Sequence, residues 1–290
     1  MVGMSEVTFV KGHGTENDFV LVPDLDNAVT LAPEQVRRLS DRRAGIGGDG
    51  VIRVTRTASV DEDFVRAQAE EAEFFMDYRN ADGSVSEMCG NGVRVFAEFL
   101  RSQGLVTGES FAVATRGGVK HVQVSDLGYA VDMGPWRFSD PSVAAEFGHD
   151  TLVHVPGHEP FSAISVDLGN PHTVVALPPD VDLEALDLSA PPTLNPAAAH
   201  GSNVEFVRPL GPGHIRMRVH ERGVGETRSC GTGACAAALA TSFWATGRVE
   251  DGDRWVVEVP GGTLQVRALP GQRVELSGPA VLVAEGTACL

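Results

Sequence analysis

Apolar and polar positions change period several times along the chain, and the changes mark out its elements. Val7-Thr8-Phe9-Val10 and Phe19-Val20-Leu21-Val22 are short β-branched and aromatic runs that predict strands. Lys11 to Asp18, between them, is polar and glycine-bearing, either a functional loop at the strand ends or a plain hairpin turn. Val36 and Leu39 stand at helical spacing behind Pro33, which predicts a helix from Pro33 to Arg43. A glycine-rich turn, Gly45 to Gly50, then leads into a strand at Val51–Val54, while the acidic stretch Thr57 to Glu71 predicts a solvated excursion. Phe74–Tyr78 predicts a strand, and the apolar run after Gly92 a helix ending near Gly104, with Arg94, Glu98 and Arg101 as its wet stripe.

A meander follows over Phe111–Ala114, Val119–Val124 and Tyr129–Met133. Beyond Gly134-Pro135, strands are expected at Ile164–Leu168, Thr173–Leu177, Asn203–Val207, Ile215–His220, Arg254–Val259, Thr263–Ala268 and Arg273–Leu276, with a loop from Pro191 to Ala199. Ala234 to Trp244 is apolar nearly all round, so it predicts a helix buried on all sides. A last short strand, Val281–Val283, is free to return to the first.

One motif in this pattern is written twice. Met88-Cys89-Gly90-Asn91-Gly92 and Ser229-Cys230-Gly231-Thr232-Gly233 each set a cysteine before a Gly-X-Gly turn that opens a helical run. Superposing the copies puts Met76 on Met217 and Asn80 on Glu221. The loops echo each other too, with Asn17 standing before one strand and Asn170 before another. Such duplication predicts two pseudo-symmetric α/β (α+β) domains, each a curved, mostly antiparallel sheet around a central helix. The expected division is 1–133, completed by the C-terminal strand 279–290, and 134–278. Helix N-termini present unpaired N–H groups and partial positive charge, which suit a carboxylate and favour a cysteine as thiolate. Two such thiols facing one cleft suit removal of a proton from one face of a carbon beside a carboxylate and return of one to the other face.

Composition narrows the field. A net charge of −16 opposes binding to nucleic-acid phosphates or anionic lipid surfaces. No apolar run reaches the ~20 residues of a membrane-spanning helix, and Met1 to Glu6 shows no secretory leader. Four cysteines without such a leader fit reduced thiols in the cytoplasm. Cys230 and Cys235, five apart on a helix, point away from each other, so neither a disulfide nor a shared metal is expected. Lys11 and Lys120 are the two lysines, and neither sits in a setting recognisable for a pyridoxal phosphate Schiff base.

The two cysteine motifs, with Glu221 to Ala234, Gly14-Thr15-Glu16-Asn17-Asp18-Phe19, Asn80-Ala81-Asp82-Gly83-Ser84, Gly169-Asn170-Pro171-His172 and Asn203-Val204-Glu205-Phe206-Val207, closely resemble diaminopimelate epimerases over essentially the whole chain. That resemblance implies interconversion of LL- and meso-2,6-diaminopimelate without cofactor or metal, in lysine and peptidoglycan precursor biosynthesis, by a homodimer. It gives Cys89 and Cys230 the roles of base and acid, exchanging with direction, and makes His172 and Glu221 helpers of thiol protonation. Gly90, Asn91, Gly231 and Thr232 would hold the reacting carboxylate with their amides; Asn17, Asn80, Asn170, Asn203, Glu221 and Arg222 match substrate ligands. One departure is Gly50, where many members carry glutamine. A proline or hydroxyproline racemase is a second enzyme reading, although those normally have histidine at the position of Asn91. A thiol redox or amino-acid-binding protein is a reading from another class, and predicts no exchange of the substrate α-hydrogen with solvent.

Overall fold

A computed structural model describes residues 6–289. The expectations for the chain start over Met1 to Ser5, and the last residue of the expected 279–290 strand, lie outside the described residues. The chain divides into two compact units, residues 1–131 with 277–290, and residues 132–276. Both are mixed α/β and dominated by strands.

In the first unit, β1 (Glu6–Gly14) and β2 (Asn17–Pro23) form a hairpin, and β19 (Val281–Cys289) returns to pair antiparallel with β1. Helix α1 (Pro33–Ser40) carries the chain from β2 to β3 (Gly50–Arg56), which lies parallel to β2. β4 (Phe74–Asn80) pairs antiparallel with β3. Helix α3 (Gly90–Ser102) is in turn the crossover to β5 (Ser110–Ala114), parallel to β4. The meander then runs through β6 (Lys120–Ser125) and β7 (Gly128–Pro135). Parallel neighbours need such crossovers because a tight turn cannot join them. Two parallel pairs thus modify the mostly antiparallel expectation, and each owes its direction to the helix between its strands.

Two expectations for this unit fail. The 57–71 stretch is folded rather than a solvated excursion. It holds a 3₁₀ turn at Thr57–Ser59 and helix α2 (Asp63–Arg66), and it buries Val60 and Val65 against Phe75 and Ala114. Its acidity is used: both oxygens of Glu62 take hydrogen bonds from Arg116, at 2.6 and 2.8 Å. Nor is Arg94 on a wet stripe. It is fully buried, because its guanidinium donates to Asn91 Oδ1 at 2.8 Å and to the carbonyls of Gly90 and Pro279, which replace water.

In the second unit, β8 (Arg137–Phe138) and helix α4 (Pro141–Phe147) precede β9 (Thr151–His154) and β10 (Phe161–Asp167). β11 (Pro171–Ala176) turns back antiparallel to β10, and the short β12 (Thr193–Asn195), inside the expected 191–199 loop, pairs with β9. β13 (Asn203–Gly211) lies parallel to β11 and leads to β14 (His214–Glu221) and β15 (Gly225–Thr227). Helix α5 (Gly231–Thr246) then crosses to β16 (Arg254–Val259), parallel to β14; β17 (Gly262–Leu269) and β18 (Arg273–Gly278) follow. β10, β11, β13, β14, β16 and β17 all pack on α5, whose residues Gly233 to Ser242 are buried without a gap. Alanines at 234, 236, 237, 238 and 240 keep the helix thin enough for strands to approach from every side. Among the described residues no helix is long and apolar enough to cross a membrane.

Burial of the 57–71 stretch has a measurable consequence. Val65→Ala removes two methyl groups from a fully buried site and should cost about 2 kcal/mol. Val85→Ala, at a side chain 53% exposed, should cost close to nothing. Urea denaturation of both variants checks this, and equal midpoints would return the stretch to solvent.

Candidate active site

Each duplicated cysteine is the N-cap of its unit's long helix. In the first unit, Cys89 has extended backbone (φ −143°) and its Sγ accepts the Gly92 N–H at 3.5 Å. The helix therefore begins at Gly90, and the motif glycines form its first turn, where amide donors have no carbonyl four residues back. The Lys11–Asp18 stretch proves to be a hairpin with a two-residue turn. Thr15 and Glu16 both have left-handed φ, 50° and 61°, a conformation that costs energy in residues other than glycine.

The turn delivers Asn17 as the first residue of β2. A Cβ on Gly14 would stand 3.1 Å from Arg94 Nη2 and 3.2 Å from the Asn91 carbonyl, so the bare backbone lets the hairpin lie against the helix start. Asn17 Oδ1 accepts from Asn91 Nδ2 at 3.1 Å and from the Cys89 thiol at 3.6 Å. Its Nδ2 donates to Asp49 Oδ2 at 2.6 Å, which fixes the amide's orientation. Asp49 is held by Arg42 at 2.8 Å. Burial works against ionisation of neighbouring Asp18, but hydrogen bonds from Arg42 and Lys11 hold its carboxyl well below the usual range.

Asn80 is not joined to this group. Its side chain donates to Ser84 Oγ at 3.0 Å and so closes the turn after β4. Gly50 pairs with it across β3 and β4. A Cβ at Gly50 would meet the Arg79 carbonyl at 2.5 Å and the Tyr78 ring at 2.6 Å. The absence of glutamine here thus has a steric cause: Tyr78 and the β4 backbone fill the space.

In the second unit, Cys230 accepts the Gly233 N–H at 3.4 Å and lies 3.6 Å from Thr232 Oγ1. Thr232 Oγ1 accepts from Asn170 Nδ2 at 3.3 Å. Asn170 Oδ1 lies 3.1 Å from His172 Nε2, and His172 Nδ1 lies 2.7 Å from Glu205 Oε1. The His172 and Glu205 side chains are wholly buried. Asn203 ties this group together: its Nδ2 donates to the Pro171 carbonyl at 3.3 Å and its Oδ1 accepts the Arg222 N–H at 3.0 Å. Arg222 itself is exposed and donates to the His200 carbonyl at 2.8 Å. Glu221 accepts a hydrogen bond from the Thr227 hydroxyl.

The expectation of a thiolate at the helix start fails for Cys230. Burial raises its thiol well above the ordinary range, and the carboxylates of Glu221 and Glu205 raise it further; the Thr232 hydroxyl and Gly233 amide pull the other way and lose. This cysteine is built to hold its proton. The motif reading passed over Glu205 and Asp49. Glu205 did leave a signal, being a carboxylate inside the apolar strand run Asn203-Val204-Glu205-Phe206-Val207, two residues from Asn203 and hence on its face. Asp49 lay hidden in the glycine-rich turn.

Residues 9–139 and 164–283 match the profile of the family described as diaminopimelate epimerase. The chain belongs to the diaminopimelate epimerase family. A family member from Streptomyces coelicolor, named diaminopimelate epimerase, is 52% identical over 97% of this chain and 95% of its own. Another from Thermobifida fusca, of the same name, is 50% identical over 96% of each. Among solved structures, a Bacillus anthracis phenazine biosynthesis protein of the PhzF family superposes with a TM-score of 0.69 over 99% of this chain and 100% of its own, at 16% identity. A hydroxyproline epimerase from Agrobacterium vitis gives 0.64 over 98% and 93%, at 15% identity. Those two likenesses place the fold. Within the family frame, Gly50→Gln is expected to destabilise this chain by about 1–3 kcal/mol through overpacking. Thermal unfolding measures it, and an unchanged melting temperature would mean that the Tyr78 ring yields without cost.

Proposed function

We propose that the chain is a cofactor-independent epimerase interconverting LL- and meso-2,6-diaminopimelate. The observation that carries the reading is one cysteine N-capping a Gly-X-Gly helix start in each unit, in a chain about half identical to proteins of that name. Similar crossovers in the two units support reading them as duplicated epimerase halves.

One sulfur, as thiolate, takes the α-proton, and the other, as thiol, returns a proton to the opposite face of the carbon. Charge spreads from the α-carbon onto the α-carboxylate. Amides of Gly90, Asn91, Gly231 and Thr232 receive that carboxylate and its growing charge without reorganisation. Cys230, which holds its proton, is the acid in the resting enzyme, and Cys89 is then the base; the reverse direction exchanges them. His172 and Glu221 set thiol protonation. Asn17, Asn80, Asn170 and Asn203 serve as amide ligands, and Arg222, released from the His200 carbonyl, takes the distal carboxylate. The enzyme works as a homodimer in the cytoplasm and supplies a precursor of lysine and peptidoglycan.

Proton NMR in deuterium oxide, with diaminopimelate and no added cofactor, tests the reading. Loss of the α-hydrogen signal with appearance of the second stereoisomer is expected, and proline or hydroxyproline should be inert. Cys89→Ala and Cys230→Ala should each lower epimerisation about 10²–10⁴-fold with the fold intact, while Cys235→Ala should leave it near normal. Exchange of proline in place of diaminopimelate, or full turnover in either cysteine variant, would overturn it.

A further inference from the structure

The resemblance to the family assigns no role to Glu205, yet its carboxylate is among the most deeply buried charges of the second unit. Its side chain is wholly enclosed, Oε1 is bound to His172, and Oε2 has no hydrogen-bond partner among the described residues. A buried carboxylate oxygen left without a donor costs stability, so its retention asks for a use.

Gly233 shows what the carboxylate reaches. The point where a Cβ on that residue would stand is 2.7 Å from Glu205 Oε1 and 3.2 Å from Cys230 Sγ. The oxygen and the sulfur are therefore no further apart than those two lengths laid end to end, near enough for one charge to govern the other's ionisation. A side chain at 233 would separate them or displace the carboxylate. The motif's second glycine thus serves the electrostatics as well as the turn.

Hydrogen bonds also link the carboxylate to the helix start. Asn170 spends its Nδ2 on Thr232, so the atom it offers His172 is Oδ1, an acceptor. His172 bridges Asn170 and Glu205 through its two ring nitrogens. The chain of bonds from Glu205 runs on through His172, Asn170 and Thr232 to the sulfur.

We propose that Glu205 is a positioning residue that keeps Cys230 in its proton-bearing form and holds the His172 ring toward Asn170. The proposal rests on the two-thiol reading above. The titratable groups set about the sulfur are Glu221 on β14, Glu205 on β13 and, behind Glu205, His172 on β11. Charges on the other strands packed on α5 are engaged elsewhere: Asp167 of β10 with Arg137, Glu258 of β16 with Arg216 and His214, and Arg267 of β17 with Glu275.

The test is the pH dependence of Cys230 alkylation by iodoacetamide, followed by peptide mass spectrometry on the full chain. In the unaltered protein the midpoint should lie above the ~8.5 of an ordinary cysteine. In Glu205→Gln, which keeps the shape and removes the charge, it should fall by about one pH unit or more. Glu205→Asp, which keeps the charge, should retain the high midpoint. A folded Glu205→Gln protein with an unmoved midpoint overturns the proposal. So does an unaltered protein whose Cys230 titrates at or below the ordinary value, which decides the matter even if the variant does not fold. Because alkylation is read without substrate, failure here is distinct from failure of the epimerase reading, which would show as no α-hydrogen exchange in the unaltered protein.

Discussion

A helix of this kind starts with amide N–H groups that have no partner within the helix, and in each unit a cysteine sulfur takes one of them. The rest of each site depends on that contact. It places the sulfur at the mouth of the helix and favours glycines in the first turn. What surrounds the two sulfurs differs. Cys89 donates to Asn17 Oδ1, which also accepts from Asn91, and Asn91 Oδ1 in turn accepts from the buried Arg94 guanidinium. Behind Cys230 stand carboxylates. The same capping geometry is therefore set beside an amide network in one unit and, in the other, in deep burial beside carboxylates.

Buried charge also anchors the strands that carry these groups. Asp77 on β4, with no exposed surface, pairs with Arg53, Arg79 and Arg116. Burial opposes its ionisation, but the three guanidinium groups win, so its carboxyl lies below the ordinary value. A depressed carboxyl contributes stability that is present above its unfolded value and is lost as pH falls through its folded one. Through Arg116 the same cluster holds Glu62, and with it the stretch that joins β3 to β4.

Much of this was legible in the sequence because backbone chemistry dictated it. The Gly-X-Gly starts, the β-branched strands and the all-apolar α5 each admit one local structure. Cys89 and Asn91 stand together in the motif itself, and Asn17, Asn170 and His172 lie where their strand entries put them. What escaped were features set by long-range partners. Arg94 reads as a solvent-facing residue until its acceptors are known. The 57–71 stretch reads as acidic loop until Arg116 arrives from 54 residues away to neutralise Glu62. Cys230 at its helix start reads as a thiolate until the sheet buries it and β14 and β13 bring Glu221 and Glu205 beside it. Short strands such as β9 and β12 exist through their pairing, β9 with β10 and β12 with β9, and carry little period of their own.

The central claim of the proposed function is that two single-proton thiols, one as base and one as acid, serve one substrate carbon. It is tested most directly by where deuterium appears in the first few per cent of turnover in deuterium oxide. A thiol that has taken the substrate's proton can return only that proton, while the opposite thiol delivers one equilibrated with solvent. Newly formed meso-diaminopimelate from the LL isomer should therefore carry deuterium at the inverted centre, while recovered LL substrate remains unlabelled. Product that keeps the original hydrogen, or substrate that labels as fast as product forms, would contradict the account.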